Sequence, residues 1–507
     1  MRTRTTTVLA AAALLSGAAH AQTTWTVPSP DTPTLAFALN TAVSPVQPGD
    51  AIELTDAAFY LEPYVVETAD LTIRGAAGQD ITIDALGQGT VFEVLADNLT
   101  LQDLTITGGL AAIDGGGVRA IAQSVTAIDC VFIDNEAPDD AGALVVSDGV
   151  LTLIGCRFEN NRTLNTTADS NGGAIQAVRV TGLIRGCEFI GNIAGDFGGA
   201  IQFATSSDID VEGCRFEGNS TQEQGGGAVL WSGSSAGLVS DTTFIDNTAD
   251  RLGGAIYSAD SWPDFLRCKI IENMALEDGG GVYVGGETSE EVEFFSCLIA
   301  GNTAAVTGGG IQAQTGPDVN AFNCTIVDNV AVEAGGGVYD FGSGAGTQLF
   351  NCILRGNAPE QFQNDGPGSY FYCNVQDIEM GFGVGNIDAD PMFADADGDD
   401  NDPMTFEDNG YALLPGSPSI DAGDSTQITG PMPLDLAMEN RAVDDPATAD
   451  TGAPVFFQTV DQGAYEYQPP TSPAPTGCKA DINGDGATDV FDFAELADDF
   501  GCEDNPD

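Results

Sequence analysis

Between residues 65 and 374 the apolar residues come in short runs of about four to six, rich in Val, Ile, Phe and Thr. Apolar and polar positions alternate inside each run, and Gly and Asn punctuate the gaps. Runs of this length and composition predict strands that each bury one face.

The runs recur. Aligned on Cys130, Cys156, Cys187, Cys214, Thr242, Cys268, Cys297, Cys324 and Cys352, they repeat after 26, 31, 27, 28, 26, 29, 27 and 28 residues. Two places after each anchor stands an apolar residue: Phe132, Phe158, Phe189, Phe216, Phe244, Ile270, Ile299, Ile326 and Leu354. Five places after it stands Asn: Asn135, Asn161, Asn192, Asn219, Asn247, Asn273, Asn302, Asn329 and Asn357. In most copies a Gly pair, such as Gly198-Gly199, opens the next strand. A period in the high twenties is the mark of a solenoid. The predicted fold is all-β: a right-handed parallel β-helix with about three short strands per coil, equivalent residues stacking ~4.8 Å apart.

In such a coil the anchor and the residue two places on point inward. Asn at the corner tolerates the left-handed conformation and bonds through its amide to the Asn above and below. Paired Gly permits a corner that a Cβ would obstruct. Thr242 fills the Cys slot without disturbing the pattern. The Cys column is therefore predicted as stacked buried thiols, because parallel side chains are poorly placed for disulfides. Vertical disulfides, common where an exported chain has many Cys, and metal binding are the alternatives.

Both ends of an open solenoid need covering. Residues 22–64 are expected to form an N-terminal cap, with Leu35, Leu39 and Val43 at helical spacing before Pro48-Gly49-Asp50 and a strand. The repeats fill 65–374, and 375–467 are expected to form a C-terminal cap. Within it Asp395, Asp397, Asp399 and Asn401 offer clustered oxygens that suit Ca²⁺ or simply a solvated acidic loop. Residues 468–477, containing "PPTSPAP", form a stiff linker.

Composition narrows the setting. The first 21 residues have Arg2 and Arg4, an apolar stretch from Val8 to Leu15, and Ala19-His20-Ala21, the pattern of a cleaved export signal. Removing them moves the formal charge from −61 to −63 and removes His20, the only His. The exported chain would then have no imidazole, which excludes Ser-His-Asp and Cys-His catalysis and His-ligated zinc. So acidic a surface repels nucleic acid, anionic lipid and polyanionic glycans. No later stretch has the ~20 continuous apolar residues of a membrane span. Paired Asp for glycoside hydrolysis occurs at Asp139-Asp140 and Asp444-Asp445, both in apparent loops and better read as solvated turn residues.

The last thirty residues, 478–507, contain a separate motif. "DINGDGATDVFD" places oxygen ligands at Asp481, Asn483, Asp485, Asp489 and Asp492, with Gly486 at the sharp turn and the Ala487 carbonyl at the seventh position. This is an EF-hand Ca²⁺ loop ending in Asp instead of Glu. "VFDFAELADDF" follows as a helix, so a small α-helical module is expected.

Several motifs resemble known groups. "FENN", "FIGN", "FEGN" and "FIDN" together with "GGAI" are similar to the repeats of polymorphic outer-membrane proteins and related bacterial surface β-helices, over about residues 90–375. That likeness implies a surface-displayed, often adhesive solenoid, but no membrane β-barrel follows here. The start, with its capping helix, looks like that of pectate-lyase-like β-helices. "LLPGSPSIDAG" and "DQGAYEY" resemble a C-terminal segment found before anchoring modules in secreted β-helix proteins. "DINGDG" with Asp at the twelfth position resembles a dockerin repeat, in the single-copy form that ends in Gly-Cys, here Gly501-Cys502. The resemblance implies attachment to a scaffold or cell-envelope partner. Cys478 and Cys502 bracket the module and offer either an internal disulfide or attachment thiols.

The expected function is a secreted or cell-surface, non-catalytic protein that binds a polysaccharide or protein ligand and is attached through its Ca²⁺ module. The alternative is a polysaccharide lyase or glycoside hydrolase on the same fold. Lyases of this fold use an Arg or Lys base and polygalacturonases a His, and both residue types are scarce here. No catalytic residue is named. A Ca²⁺-dependent structural layer would differ from the first reading mainly in self-assembly.

Overall fold

The structure is a computed structural model. It describes residues 22–469 apart from 32–33, 61–63, 165–169, 288–289, 315–317, 343–345, 365–368, 379–382, 397, 399, 401–404, 428–433 and 454–458. Residues 1–21, 470–477 and 478–507, which hold the expected export signal, most of the expected linker and the expected Ca²⁺ module, lie outside the described residues.

One coil runs through Leu144–Ser147, Val150–Ile154, Arg157–Glu159 and Arg162–Thr163. Numbered in that order, these strands belong to sheets I to IV, which hold 12, 14, 13 and 8 strands among the described residues. Each strand pairs in parallel with its equivalent one coil on, as Phe158 does with Phe189 and Leu144 with Ile175. The chain is thus an all-β parallel solenoid of about twelve turns, as the period predicted. The strand count per coil differs from the expected three. The two residues after each ladder Asn from Asn135 to Asn329 form a fourth, narrow sheet because the tight corners on either side leave just enough extended backbone to pair.

The inner columns follow the sequence pattern. Phe132, Phe158, Phe189, Phe216 and Phe244 stack with ring centroids 4.6 to 5.0 Å apart and nearly parallel planes. The Cys column is buried, and the nine described cysteines, including Cys373 as a further member, are free thiols. Each contacts the next coil, as where Cys156 N meets Cys187 Sγ at 3.4 Å, and Thr242 Oγ1 takes the same place under Cys214 N at 3.2 Å.

The Asn ladder is continuous. Asn161 Nδ2 donates to Asn192 Oδ1 at 3.0 Å and to the Phe132 carbonyl at 2.9 Å, and the pattern repeats to Asn357, which ends on Gln361 Oε1 at 2.7 Å. The ladder Asn does not itself take the left-handed conformation, as had been expected. The residue before it does: Asp134, Asn160, Asp246, Glu272 and Asp328 have φ of 52 to 56°, and Gly occupies the other coils. That leaves each Asn side chain pointing inward to satisfy backbone groups that the corner would otherwise bury unpaired. The Gly pairs are required sterically. Gly198 has φ +65°, and a Cβ on Gly199 would sit 2.0 Å from the Gly227 carbonyl oxygen.

At the N-terminus the cap helix is only Leu35–Leu39, started by Thr34, whose Oγ1 accepts from Phe37 N at 3.0 Å. Leu35 and Leu39 are buried, but Val43 lies beyond the helix and is exposed. Asn40 ends the helix before a third apolar turn can form. Thr24–Val27, ahead of the helix, supplies the first strand of sheet II.

The other end is built differently from a plug. Val384 and Ile387 stack on the last coil, their carbonyls accepting from Tyr372 N and Val375 N. The described residues of 390–467, the strap, then turn back, and several of them lie along the outer face of sheet III. Phe406 and Tyr411 pack there on Ile245, Ile271, Leu298 and Val327, and Glu407 grips Arg215, 192 residues earlier, with two bonds of 2.7 and 3.3 Å.

Candidate functional site

The outer rows carry what chemistry the solenoid presents to solvent. On sheet I the outward column reads Gln176, Gln202, Leu230, Tyr257, Tyr283, Gln312, Tyr339, Gln363 in continuous register. It holds amides and phenols and no charge. Gln176 Nε2 donates to Gln202 Oε1 at 3.0 Å, and Tyr283 Oη donates to Gln314. Gly225, Gly279, Gly308 and Gly335 lie against Tyr257, Tyr283, Gln312 and Tyr339, where a Cβ would come within 3.0 Å. Beside this column runs a row of small side chains, Val178, Ala204, Ser232, Ala259 and Gly285. The result is an uncharged column parallel to the solenoid axis on a protein of charge −61, in which Gln202, Leu230, Tyr283 and Gln312 are nearly inaccessible to water and Gln176, Tyr257, Tyr339 and Gln363 are half-buried.

The basic groups are committed elsewhere. All eleven arginines among the described residues stand within 4.0 Å of a carboxylate, most of them one coil away. Examples are Arg119 with Glu93 at 2.7 Å, Arg267 with Asp241 at 2.7 Å and Arg251 with Glu277 at 2.9 Å. Lys269 feels the charge of Glu407 under the strap. An ion-paired guanidinium is stabilised in its charged form and is a poor proton acceptor.

The sequence-predicted residues are placed as follows. Asp481, Asn483, Asp485, Ala487, Asp489 and Asp492 lie outside the described residues, as do Cys478 and Cys502. Of the acidic loop, Asp395 is exposed in a short antiparallel pair with Gly410–Leu413, and Asp397, Asp399 and Asn401 lie outside the described residues. Neither Asp pair is a simple solvated turn. Asp140 staples two coils, accepting from Asn171 N at 3.0 Å and Asn171 Nδ2 at 3.1 Å, and burial pushes its carboxyl up to about 6. Asp445 is buried, accepts from Ala447 N and Thr448 Oγ1 at 3.1 and 2.7 Å, and donates its own N–H to Asp421, while Asp444 is exposed.

The strap assembles a group the sequence did not reveal. Asp421, from "LLPGSPSIDAG", and Asp461 and Glu466, from "DQGAYEY", meet with Asp435 and Arg441 in a buried cluster. Asp435 accepts from Glu439 N and Glu466 N at 2.8 and 2.9 Å. Each carboxylate bridges stretches of irregular backbone that have no sheet to satisfy them. The signal in the sequence was acidic residues set beside apolar or aromatic ones: Asp421 between Ile420 and Ala422, Asp461 after Val460, and Glu466 between Tyr465 and Tyr467. Asp421, Asp444 and Asp450 also have carboxylate oxygens within 4.8 Å of one another. Both Asp421 oxygens accept hydrogen bonds, from Thr459 Oγ1 and Asp445 N, and the Thr459 hydroxyl also reaches Asp450 at 3.2 Å.

The family described as right-handed beta helix region matches residues 91–313. No curated protein sequence matches the chain. Among solved structures, an alginate lyase is 14% identical with TM-score 0.46, covering 78% of this chain and 93% of its own. A mannuronic acid specific polysaccharide family 6 lyase from human gut microbiota is 13% identical with TM-score 0.42, covering 69% and 86%. A pectate lyase is 12% identical with TM-score 0.33, covering 89% and 98%. Among the described residues no helix is long and apolar enough to cross a membrane.

Proposed function

We propose that this is an exported, non-catalytic β-helix protein that binds an extended polymer on its outer face and is attached through a Ca²⁺-binding module at residues 478–507. The observation that carries the reading is the state of the basic groups: every described arginine is ion-paired. With no His beyond residue 20 and every described arginine paired, the described solenoid offers no imidazole and no free guanidinium, and Lys269, beside Glu407, is its one basic group outside an ion pair. The Gln–Tyr strip on sheet I is the surface best suited to a ligand. An extended neutral polysaccharide or protein segment laid along the axis would meet the half-buried amide and phenol groups of Gln176, Tyr257, Tyr339 and Gln363.

The deciding experiment incubates the exported chain with a panel of neutral and acidic polysaccharides in Ca²⁺ and follows both cleavage and retention on the immobilised glycan. Retention of a neutral chain without cleavage, weakened by Tyr257→Ala and Tyr339→Ala, is expected. Cleavage of any member overturns the non-catalytic reading in favour of a polysaccharide lyase or glycoside hydrolase. For the module, Asp481→Ala is expected to abolish Ca²⁺ binding there in calorimetry while leaving the solenoid folded.

A further inference from the structure

The strap closes around Asp421, Asp435, Asp461, Glu466 and Arg441, all nearly inaccessible to water. One guanidinium faces four carboxylates. Arg441 is also largely occupied: its Nη1 and Nη2 donate to the Gly463 and Ala464 carbonyls at 3.1 and 2.7 Å, and Glu466 Oε2 stands 3.7 Å away. Asp461 accepts from Asp421 N at 2.8 Å and Tyr467 N at 2.5 Å, and Glu466 from Val443 N at 3.1 Å and Asp461 N at 3.0 Å.

The loop these carboxylates fold is the one that grips the solenoid. The Asp461 carbonyl accepts from Asn323 Nδ2 at 3.0 Å, Gln462 Nε2 donates to the Tyr372 carbonyl at 2.8 Å, Gly463 N to the Asn351 carbonyl at 2.7 Å, and Ala464 N to Thr325 Oγ1 at 2.9 Å. Asn323, Asn351 and Tyr372 are the left-handed corner residues between sheets II and III of the last three coils.

We propose that the Asp461–Glu466 pair carries one proton when the strap is closed, which makes the strap a proton-sensitive latch: acid holds it on the last three coils, and rising pH loosens it. Unpaired negative charge is costly to bury, and taking up a proton is the direct relief. The surroundings agree. Burial pushes Asp461 up to about 7, the Asp421 charge adds to the rise, and the Tyr467 and Asp421 N–H donors and Arg441 oppose it. Burial and then Asp461 push Glu466 well up, against Arg441. The other titratable groups packed here are Asp435, beside Tyr465, and, on the solenoid wall, the Cys324 thiol that senses Arg441. Asp444 and Asp450 act on Asp421 from the solvent side. A carboxyl whose pKa is raised on closing contributes stability that is full below its open-state value near 4 and is lost as pH rises through about 7.

The test is hydrogen–deuterium exchange of the full chain between pH 5 and 8 at fixed ionic strength, corrected for intrinsic exchange. Amides of residues 461–467 are compared with solenoid amides at 209–211, so the general effect of the acidic surface cancels. The strap opening equilibrium is expected to rise by up to about tenfold per pH unit between pH 5 and 7 and to level off above it. Asp461→Asn and Glu466→Gln, amide mimics of the protonated acid, are each expected to flatten that slope. An unchanged slope in both variants, or a wild-type slope equal to that of the solenoid, overturns the proposal. Should the variants not fold, the infrared carbonyl band of a protonated, buried carboxylic acid decides: present in the wild type at pH 6 and lost by pH 8 as proposed, or absent throughout.

Discussion

The outer face of sheet III changes character along the solenoid. In the early coils it is charged and paired: Arg157 with Glu188 at 2.5 Å, and Arg215 with Glu217 at 2.8 Å. In the late coils the equivalent positions include Ile271, Leu298, Ala300, Val327 and Ile353, all buried under the strap, with Lys269 and Arg355 as the charged exceptions. The inner columns are the same kind at both ends. A coil's interior is thus dictated by its neighbours in the stack, whereas its exterior is dictated by what lies over it. Arg215 marks the border, since it pairs both with Glu217 of its own strand and with Glu407 of the strap.

That comparison can be broken experimentally. The largest effects belong to the shared interior: Phe189→Ala in an early coil and Ile299→Ala in a late one are each expected to cost about 2–5 kcal/mol in urea unfolding. Loss of only one would mean that the two ends do not share a cooperative core. Asn219→Ala comes next, because it strands buried donors and acceptors on both neighbouring coils, about 1–3 kcal/mol by the same measurement. The exterior should then separate the ends. Ile271→Asp puts an unpaired charge under the strap and is expected to make residues 390–467 protease-sensitive, while Ile190→Asp, on the uncovered early face, leaves proteolysis unchanged. The smallest effect is at the border. A double-mutant cycle on Arg215 and Glu407 is expected to give a coupling of about 0.2–1 kcal/mol, because both side chains keep substantial solvent access.

The repeat made the interior legible, since every inward slot is filled nine times and each filling tests the same rule. Thr242 in the Cys column pointed to thiols that pack and do not pair, and the described cysteines are free. Single-occurrence features were less legible. Val43 sat at helical spacing, yet the helix ended at Leu39, because local spacing carries no information about where a cap stops. The left-handed position fell on the residue before each Asn: the sequence shows that a corner is there but not which of two adjacent residues bends. Asp445 reads from the sequence as a solvated turn residue, yet it is buried with its N–H bonded to Asp421, 24 residues away.

By itself the sequence determined the solenoid, its period, its inward columns and its Asn ladder, because stacking in register makes each coil the environment of the next and so writes the fold into the period. Only the tertiary structure decided the path of residues 390–467 along sheet III, the neutral Gln–Tyr strip of sheet I, the pairing of every described arginine and the buried carboxylates of the strap. These depend on contacts between stretches that occur once, up to 192 residues apart, for which no repetition along the chain provides a signal.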